Sequence, residues 1–479
     1  MESLSLKVIR SGTWSLTGNW LARGLGIIKM IVLARILTPQ DFGVIGLAML
    51  SIGCLNVFSE IGVESALIQK KDVGPDDLNT AWTITIIRGV VLFLVLYLAA
   101  EQIANYFSNA SLKPVLQVIA ICFVLEGLTN IGIIYYQKDI DFRQKVKLEL
   151  LSDFCGSIVA ILLALLLRNV WAIVFGSVVW RASYCFLSYR MHPFRPRIFW
   201  DSAKAGHLIH FGKHIFWITL VTFVVTNADD ALVGKLLGLK VLGYYAMAYN
   251  IANIPVTSLA GIVGKISFPA YSLVQDDRKR LGEAFGRVFE TTLIVLLPLA
   301  ALIILVSGDF IRIFLGAKWL PMSIVLQILC LLGLFRGLSN VIAPVQLAVN
   351  RPELQSTSKT VELVIFLMLI YPFTVHWGII GAGWAVTMVY LVSFVLNAIM
   401  TGLIIEGFAK ILFRASLVPV AATIGLASAT LLTQIELEGA MALFRFSAAS
   451  ISGAAVFGLV ILFLNRRLIQ DLFRRGLAQ

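Results

Sequence analysis

Apolar residues in this chain come in long unbroken runs, not in amphipathic stripes or alternating pairs. Polar, Gly or Pro punctuation divides the runs into fourteen candidate helices. They lie at about 14–37, 43–69, 81–104, 114–136, 148–167, 170–189, 211–237, 243–271, 286–307, 322–349, 359–375, 379–404, 412–433 and 441–464. Each is near or above the roughly 18 residues that a helix needs to cross ~30 Å of hydrocarbon. The pattern predicts an all-α polytopic membrane protein, because a membrane β-barrel would show short alternating strands. The first run is too long for a signal-peptide core, carries Arg23 and Lys29 and lacks a small-residue cleavage site, so it reads as a retained helix.

Composition agrees. Of 479 residues 59% are hydrophobic and 14% charged, against about 25% charged in soluble domains. Mean hydropathy is +0.88. Charge placement then orients the spans. With the N-terminus inside, 25 of the 39 Lys and Arg fall in inner segments, 8 in outer ones and 6 within spans. That bias predicts both termini on the cytoplasmic side. The net charge of +12 is then an orientation signal and calls for no nucleic-acid partner. Cys54, Cys122, Cys155, Cys185 and Cys330 all fall in expected spans, with no C-x-x-C, which predicts buried free thiols and no metal site.

The chain repeats itself. Shifted by 200 residues, LARILTPQDFGVIGLAM from Leu33 lies over VGKLLGLKVLGYYAMAY from Val233. Arg35 meets Lys235, Leu37 meets Leu237, Gly43 meets Gly243 and Ala48 meets Ala248. Both copies sit at the first hairpin of a six-span block. The expected organisation is a six-helix lobe at 1–189, a cytoplasmic interfacial linker at 190–213, a second lobe at 214–404, and two extra helices with a tail at 405–479. Six is even, so both lobes enter the membrane the same way up, related by a pseudo-twofold along the membrane normal.

An ionisable residue at mid-bilayer costs at least ~2.5–3.5 kcal/mol, so those that persist meet a partner or a wet cavity. The cations are Arg23 and Lys29 on span 1, Arg88 on 3, Arg181 on 6, Lys265 on 8 and Arg336 on 10. The acids are Glu60 and Glu64 on span 2, Glu126 on 4, Asp153 on 5, Asp229 and Asp230 on 7, Glu290 on 9 and Glu362 on 11. Arg181, Asp153, Glu290 and Glu362 lie near span ends, where snorkelling makes a charge cheap. Asn19 and Arg23, Glu60 and Glu64, and Arg336 and Asn340 are four apart, so each pair shares a helix face. Asn250, Asn253, Thr257, Gly261 and Lys265 fall along one stripe. In the 200-residue alignment Lys29 lies opposite Asp229, beside Asp230, which suggests a gate between the copies. Pairing between packed helices and lining a cavity both remain open for each residue; the set reads as a cavity.

LARILTPQDFGVIGLA, FSEIGVESALIQKKD (Phe58–Asp72) and AVNRPELQ (Ala348–Gln355) resemble the polysaccharide transporter family. That family includes the Wzx-type flippases of the multidrug/oligosaccharidyl-lipid/polysaccharide exporter superfamily. The resemblance covers nearly the whole chain and implies flipping of an undecaprenyl-pyrophosphate-linked oligosaccharide across a bacterial inner membrane by alternating access. A pyrophosphate needs cations, Arg by its planar fork and Lys as a point charge. The expected head-group residues are Arg23 first, then Arg88, Lys265 and Arg336, with Asn19, Asn250 and Asn253 lining the cavity. The resemblance matches Arg23 and Lys265 to head-group cations only by helix and depth. Lys29, Asp229, Asp230, Glu60 and Glu64 are the expected coupling or gate residues. The implied partners are the lipid-linked oligosaccharide and membrane lipids, with other polysaccharide assembly proteins as further candidates. No cofactor and no catalytic residue are expected.

A drug or cation antiporter of the same superfamily is the alternative and would need an acid-dominated cavity. A polysaccharide polymerase or ligase would need a large outer loop, and the longest, about 307–321, carries no catalytic set. Asp139-Ile-Asp141 lacks a nucleotide-binding domain around it, GAGWAV at Gly381 lacks the third Gly, and no P-loop occurs. The basic, aromatic segment Arg190–His214 is expected on the inner leaflet, drawn to anionic lipids.

Overall fold

The computed structural model describes the backbone of residues 4–59, 62–70, 72–139 and 141–464. Side chains are described there except at 4–13, 15–16, 64–65, 202–219 and 258–266. Every regular element among these residues is helical, and the protein is an all-α, multi-pass membrane protein. Nine helices among the described residues are long and apolar enough to cross a membrane. The count is ten if Leu112–Gly127 and Ile131–Lys138, bent by 71°, form one broken span. Each of the fourteen segments that the sequence marks out contains helix among the described residues, with breaks at Ser59, at Gly62 and at 128–130.

By packing, the chain divides into Met1–Gly243 and Tyr244–Gln479. The first unit contains α1 (Leu4–Ile36), α2 (Pro39–Phe58), α3 (Val63–Gln69), α4 (Pro75–Tyr106) and α5 (Leu112–Ile119). It continues with α6 (Ile121–Gly127), α7 (Tyr135–Lys138), α8 (Phe142–Leu167), α9 (Trp171–Met191) and α10 (Ser202–Leu237). Helix α11 (Leu239–Ser272) crosses the boundary. The second unit continues with α12 (Arg278–Phe310), α13 (Ser323–Ala348), α14 (Pro352–Gly402), α15 (Phe408–Glu436) and α16 (Ala442–Leu464). The repeat places α10 at the head of the second copy, yet α10 packs against α2 and α4. The packing division therefore falls after α10.

In the first unit α8 packs on α1 and α9, burying Leu33, Leu37, Ala160, Ala164 and Ala172 together. Thr38 caps α2: its hydroxyl accepts from the Asp41 N–H, and the Asp41 carboxylate accepts from the Thr38 N–H at 2.8 Å. At the equivalent position of the other copy stands Gly238, at φ +86°, a left-handed turn that suits glycine. The two hairpins meet reciprocally. A Cβ on Gly43 would lie 1.8 Å from the Leu239 carbonyl oxygen, and one on Gly243 1.8 Å from that of Pro39. Residue 43 thus touches 239 while 243 touches 39, the pattern a local twofold produces. This contact supports the repeat read from the sequence.

The segment between α9 and α10 is an extended strap, not a free loop. The Asn130 side chain donates to the Phe194 carbonyl at 2.7 Å, Asn79 accepts from the Arg197 N–H at 2.8 Å, and Thr83 accepts from the Phe199 N–H at 3.0 Å. Side chains of α4 and of the turn after α6 thus bind a backbone that no strand pairs. Phe194 packs on the cluster of Val63, Leu67, Leu78, Ile84 and Ile131.

In the second unit α14 has 51 residues, about 77 Å of helix and far more than one crossing needs. It is two arms broken at Gly378, whose φ of 57° and ψ of −138° are not helical. The arms run back along each other, since Ser358 meets Asn397 and Glu362 meets Ser393. Phe285, Phe289, Val341, Ile342, Val345 and Phe408 form the core between α12, α13 and α15. All five cysteines are free thiols.

Candidate functional site

Arg336 lies on α13, half-buried. Its Nη1 donates to the Tyr249 hydroxyl at 3.0 Å and approaches Asn253 Oδ1 at 3.5 Å. The guanidinium carbon stands 5.7 Å from the centre of the Tyr390 ring. Local helix chemistry sets this up: Asn253 Nδ2 donates back to the Tyr249 carbonyl at 3.0 Å, leaving its oxygen toward the arginine. The structure therefore joins two expected site residues, Arg336 and Asn253. No carboxylate pairs with Arg336 among the described residues. Asn250 is exposed, and the side chain of Lys265 is outside the described residues.

Arg88 lies in the first unit, on the wall of a cavity of about 510 Å³ also lined by Asn56, Glu126, Tyr136, Lys145 and Tyr184. Its neighbour Gly89 allows the approach: a Cβ there would lie 2.4 Å from the Phe123 carbonyl oxygen, and one on Gly127 2.6 Å from that of Thr85. With α4 and α6 in backbone contact, Arg88 Nη1 comes to 3.8 Å from Glu126 Oε1. Its other nitrogens donate to Asn56 Oδ1 at 2.8 Å and Ser59 Oγ at 3.0 Å. Glu126 is also held by Arg181 Nη2 at 3.3 Å, whose guanidinium lies over the Trp180 ring. Arg181, expected merely to snorkel, is half of this clamp. One carboxylate bracketed by two guanidiniums leaves the cluster with excess positive charge.

Lys29 does not pair with Asp229. Its Nζ lies 3.0 Å from Asp153 Oδ1 on α8, both side chains less than a third exposed. The expected gate partner is displaced because α1 packs along α8 and brings Asp153 within reach. Asp229 is buried and Asp230 half-buried on α10. On α1 Arg23 is half-buried and Asn19 exposed. Glu60 and the side chain of Glu64 lie outside the described residues.

A further polar cluster surrounds Glu362, an acid expected only to snorkel near a span end. Glu362, 3% exposed, accepts from Lys359 Nζ at 2.7 Å and from the Ser393 hydroxyl. Asn397 Nδ2 donates to Ser358 Oγ at 2.7 Å, and Gln346 Nε2 donates to Asn397 Oδ1 and Thr401 Oγ1, both at 3.2 Å. The ladder ties α13 to both arms of α14. Its signal in the sequence was two polar pairs four apart, Ser358 with Glu362 and Ser393 with Asn397. Among the described residues no group of three His, Cys, Asp or Glu could hold a metal.

A family model described as polysaccharide biosynthesis protein matches residues 32–324. Among curated proteins, the chain is 25% identical over 401 residues to the lipopolysaccharide biosynthesis protein WzxC of Escherichia coli, covering 83% of this chain and 81% of that one. It is 22% identical to the teichuronic acid biosynthesis protein TuaB of Bacillus subtilis, covering 85% and 84%. Among solved structures, the lipid II flippase MurJ in an inward closed conformation superposes with a TM-score of 0.77 at 17% identity, covering 95% of this chain and 99% of that one. An inward-facing multidrug transporter of the MATE family superposes with a TM-score of 0.62 at 14% identity, covering 81% and 95%.

Proposed function

This chain belongs to the polysaccharide biosynthesis protein family, and from that membership we propose that it flips an undecaprenyl-pyrophosphate-linked oligosaccharide across a bacterial inner membrane. It works as a transporter and not an enzyme, by alternating access, with both termini cytoplasmic. The names of WzxC and TuaB support the polysaccharide context, and the fold it shares with MurJ supports a transporter architecture.

The observation that carries the reading is Arg336. Lys29 has Asp153, and Arg88 and Arg181 share Glu126. Arg336 has a phenol, an amide oxygen and an aromatic face. Neutral partners orient a guanidinium without cancelling its charge, so a phosphate oxygen remains its strongest available counter-charge. Tyr249 and Asn253 position the planar fork, and Tyr390 shields one face. Arg23 is a second head-group residue in this reading. The antiporter alternative would need an acid-dominated cavity; Glu126, Asp153 and Glu362 are each engaged by Arg or Lys, so that reading would turn on the adjacent Asp229 and Asp230 of α10.

The test is polysaccharide export in cells carrying Arg336→Ala, Arg336→Lys, Arg23→Ala or Arg23→Lys, normalised to protein in the membrane. Each Ala variant should lose at least about tenfold, the scale of one charge-assisted hydrogen bond. Each Lys variant should recover part, since it restores the charge but not the fork. Normal export by Arg336→Ala at normal abundance would remove the argument.

A further inference from the structure

A second basic site stands in the second unit, away from Arg336. Helix α12 is 33 residues long, about 50 Å, so it outruns a ~30 Å hydrocarbon layer. Apart from Asp309 near its end, its charges all fall within Arg278–Glu290. Helix α15 likewise carries Lys410 and Arg414 near its start and no further charge until Glu436. The two helices pack together, and between their charged ends lies a cavity of about 600 Å³.

The floor of this cavity is apolar. Gly282 and Gly286 face Ile411, and a Cβ on either glycine would come within 2.9 Å of an Ile411 methyl. The rim is charged: Arg278, Lys279, Arg287 and Arg414 stand around it with Glu283, Glu290 and Glu406. The four cations are exposed, and none of them makes an ion pair among the described residues. The N-terminus of α15, where Gly407 offers no side-chain cap, adds about half a positive charge, whereas that of α12 is already capped by the Asp277 carboxylate. Leu403, Phe413 and Leu417, close to lining residues in the sequence, are exposed apolar side chains.

We propose that this cavity binds the phosphate of an anionic membrane phospholipid, its glycerol and first acyl carbons lying on the Gly282–Gly286 floor. Unpaired cations over an apolar floor at a membrane boundary match the two halves of such a lipid, and basic pockets between spans bind lipid head groups in this way. A free phosphate would use the rim and leave the floor wet. The site is independent of the transported substrate and needs only that α12 and α15 cross the bilayer.

The test uses the full-length protein in nanodiscs of phosphatidylcholine with or without phosphatidylglycerol, with bound phospholipid counted by native mass spectrometry. The wild type should retain phosphatidylglycerol in preference to phosphatidylcholine. Arg287→Gln with Arg414→Gln should weaken that retention about thirtyfold, roughly fivefold per charge removed. Glu283→Gln with Glu406→Gln should strengthen it, an opposite sign that misfolding would not produce. Unchanged retention in both double variants overturns the proposal, as does displacement of the lipid by millimolar inorganic phosphate. Arg336→Ala should keep the lipid while losing export, so the two sites fail separately.

Discussion

Substituting Gly43 by Ala tests the reciprocal hairpin contact with a single methyl. The new carbon would sit 1.8 Å from the Leu239 carbonyl oxygen and 2.6 Å from its carbon. Carbon and oxygen need about 3.3 Å, so the hairpins must part by roughly 1.5 Å. The obstacle is backbone and no rotamer change relieves it. A gap of even 0.5–1 Å forfeits roughly a quarter to a half of a dispersion contact, and Pro39, Val44, Leu47, Leu239 and Leu242 are all buried around the junction. Overpacking of this kind costs about 1–3 kcal/mol, against which Ala gains up to ~1 kcal/mol of helix propensity. The net loss should be about 1–2 kcal/mol, a fall of roughly 2–4 °C in Tm for the unit Met1–Gly243, followed in detergent by tryptophan fluorescence. Gly46→Ala is the control, because its Cβ would meet only Leu242 Cδ2 at 3.8 Å, an ordinary contact. Equal Tm for the two variants would refute the reasoning.

Three other outcomes follow from the ion pairs and the strap. Asp309 binds Arg445 through two contacts, one of them 2.7 Å, with the carboxylate 8% exposed; either single Ala variant should lose about 3 kcal/mol, and the double variant less, in thermal unfolding. Lys29→Ala and Asp153→Ala should show a coupling of about 0.5–3 kcal/mol in a double-mutant cycle, whereas Lys29→Ala with Asp229→Ala should be additive. His192, which stacks on Tyr135 and accepts from the Phe194 N–H, has its pKa lowered from 6.5, by burial first and then by Arg195. The unfolded strap then binds the proton more readily, so attachment is complete above pH 6.5 and weakens as pH falls below it. Amide exchange at 193–199, corrected for intrinsic rates, should rise between pH 7.5 and 5.5, and His192→Gln should abolish the difference.

Apolar runs made the helices legible, and even the break in α14 showed, because Gly378 falls in the gap left between two runs. The repeat was legible because its matched glycines make a physical contact. Charge partners were not. Lys29 and Asp153 are 124 positions apart, and nothing local marks α8 as the helix that lies along α1; the 200-residue shift offered Asp229 instead. Arg181 looked cheap beside a span end, whereas packing of α6 on α9 turns it toward Glu126. Asn253 was found because it lies on a polar stripe of an apolar helix. Gln346 and Asn397 were missed because uncharged polar residues cost too little in a membrane to draw notice singly.

The ladder from Gln346 through Asn397 and Ser358 to Ser393 and Glu362 has a mechanical corollary. Helices joined only by methyl groups can slide past one another by small steps, since every new position offers similar contacts. Here sliding or turning α13 or either arm of α14 by one residue would separate several buried donors from their acceptors at once, each at about 1–3 kcal/mol. The three therefore behave as a keyed joint that travels as one piece. Deformation within this unit must fall elsewhere, and α11, keyed to α13 at Tyr249 and Asn253 and interrupted beyond them by Pro255 and Pro269, is built to bend past that contact.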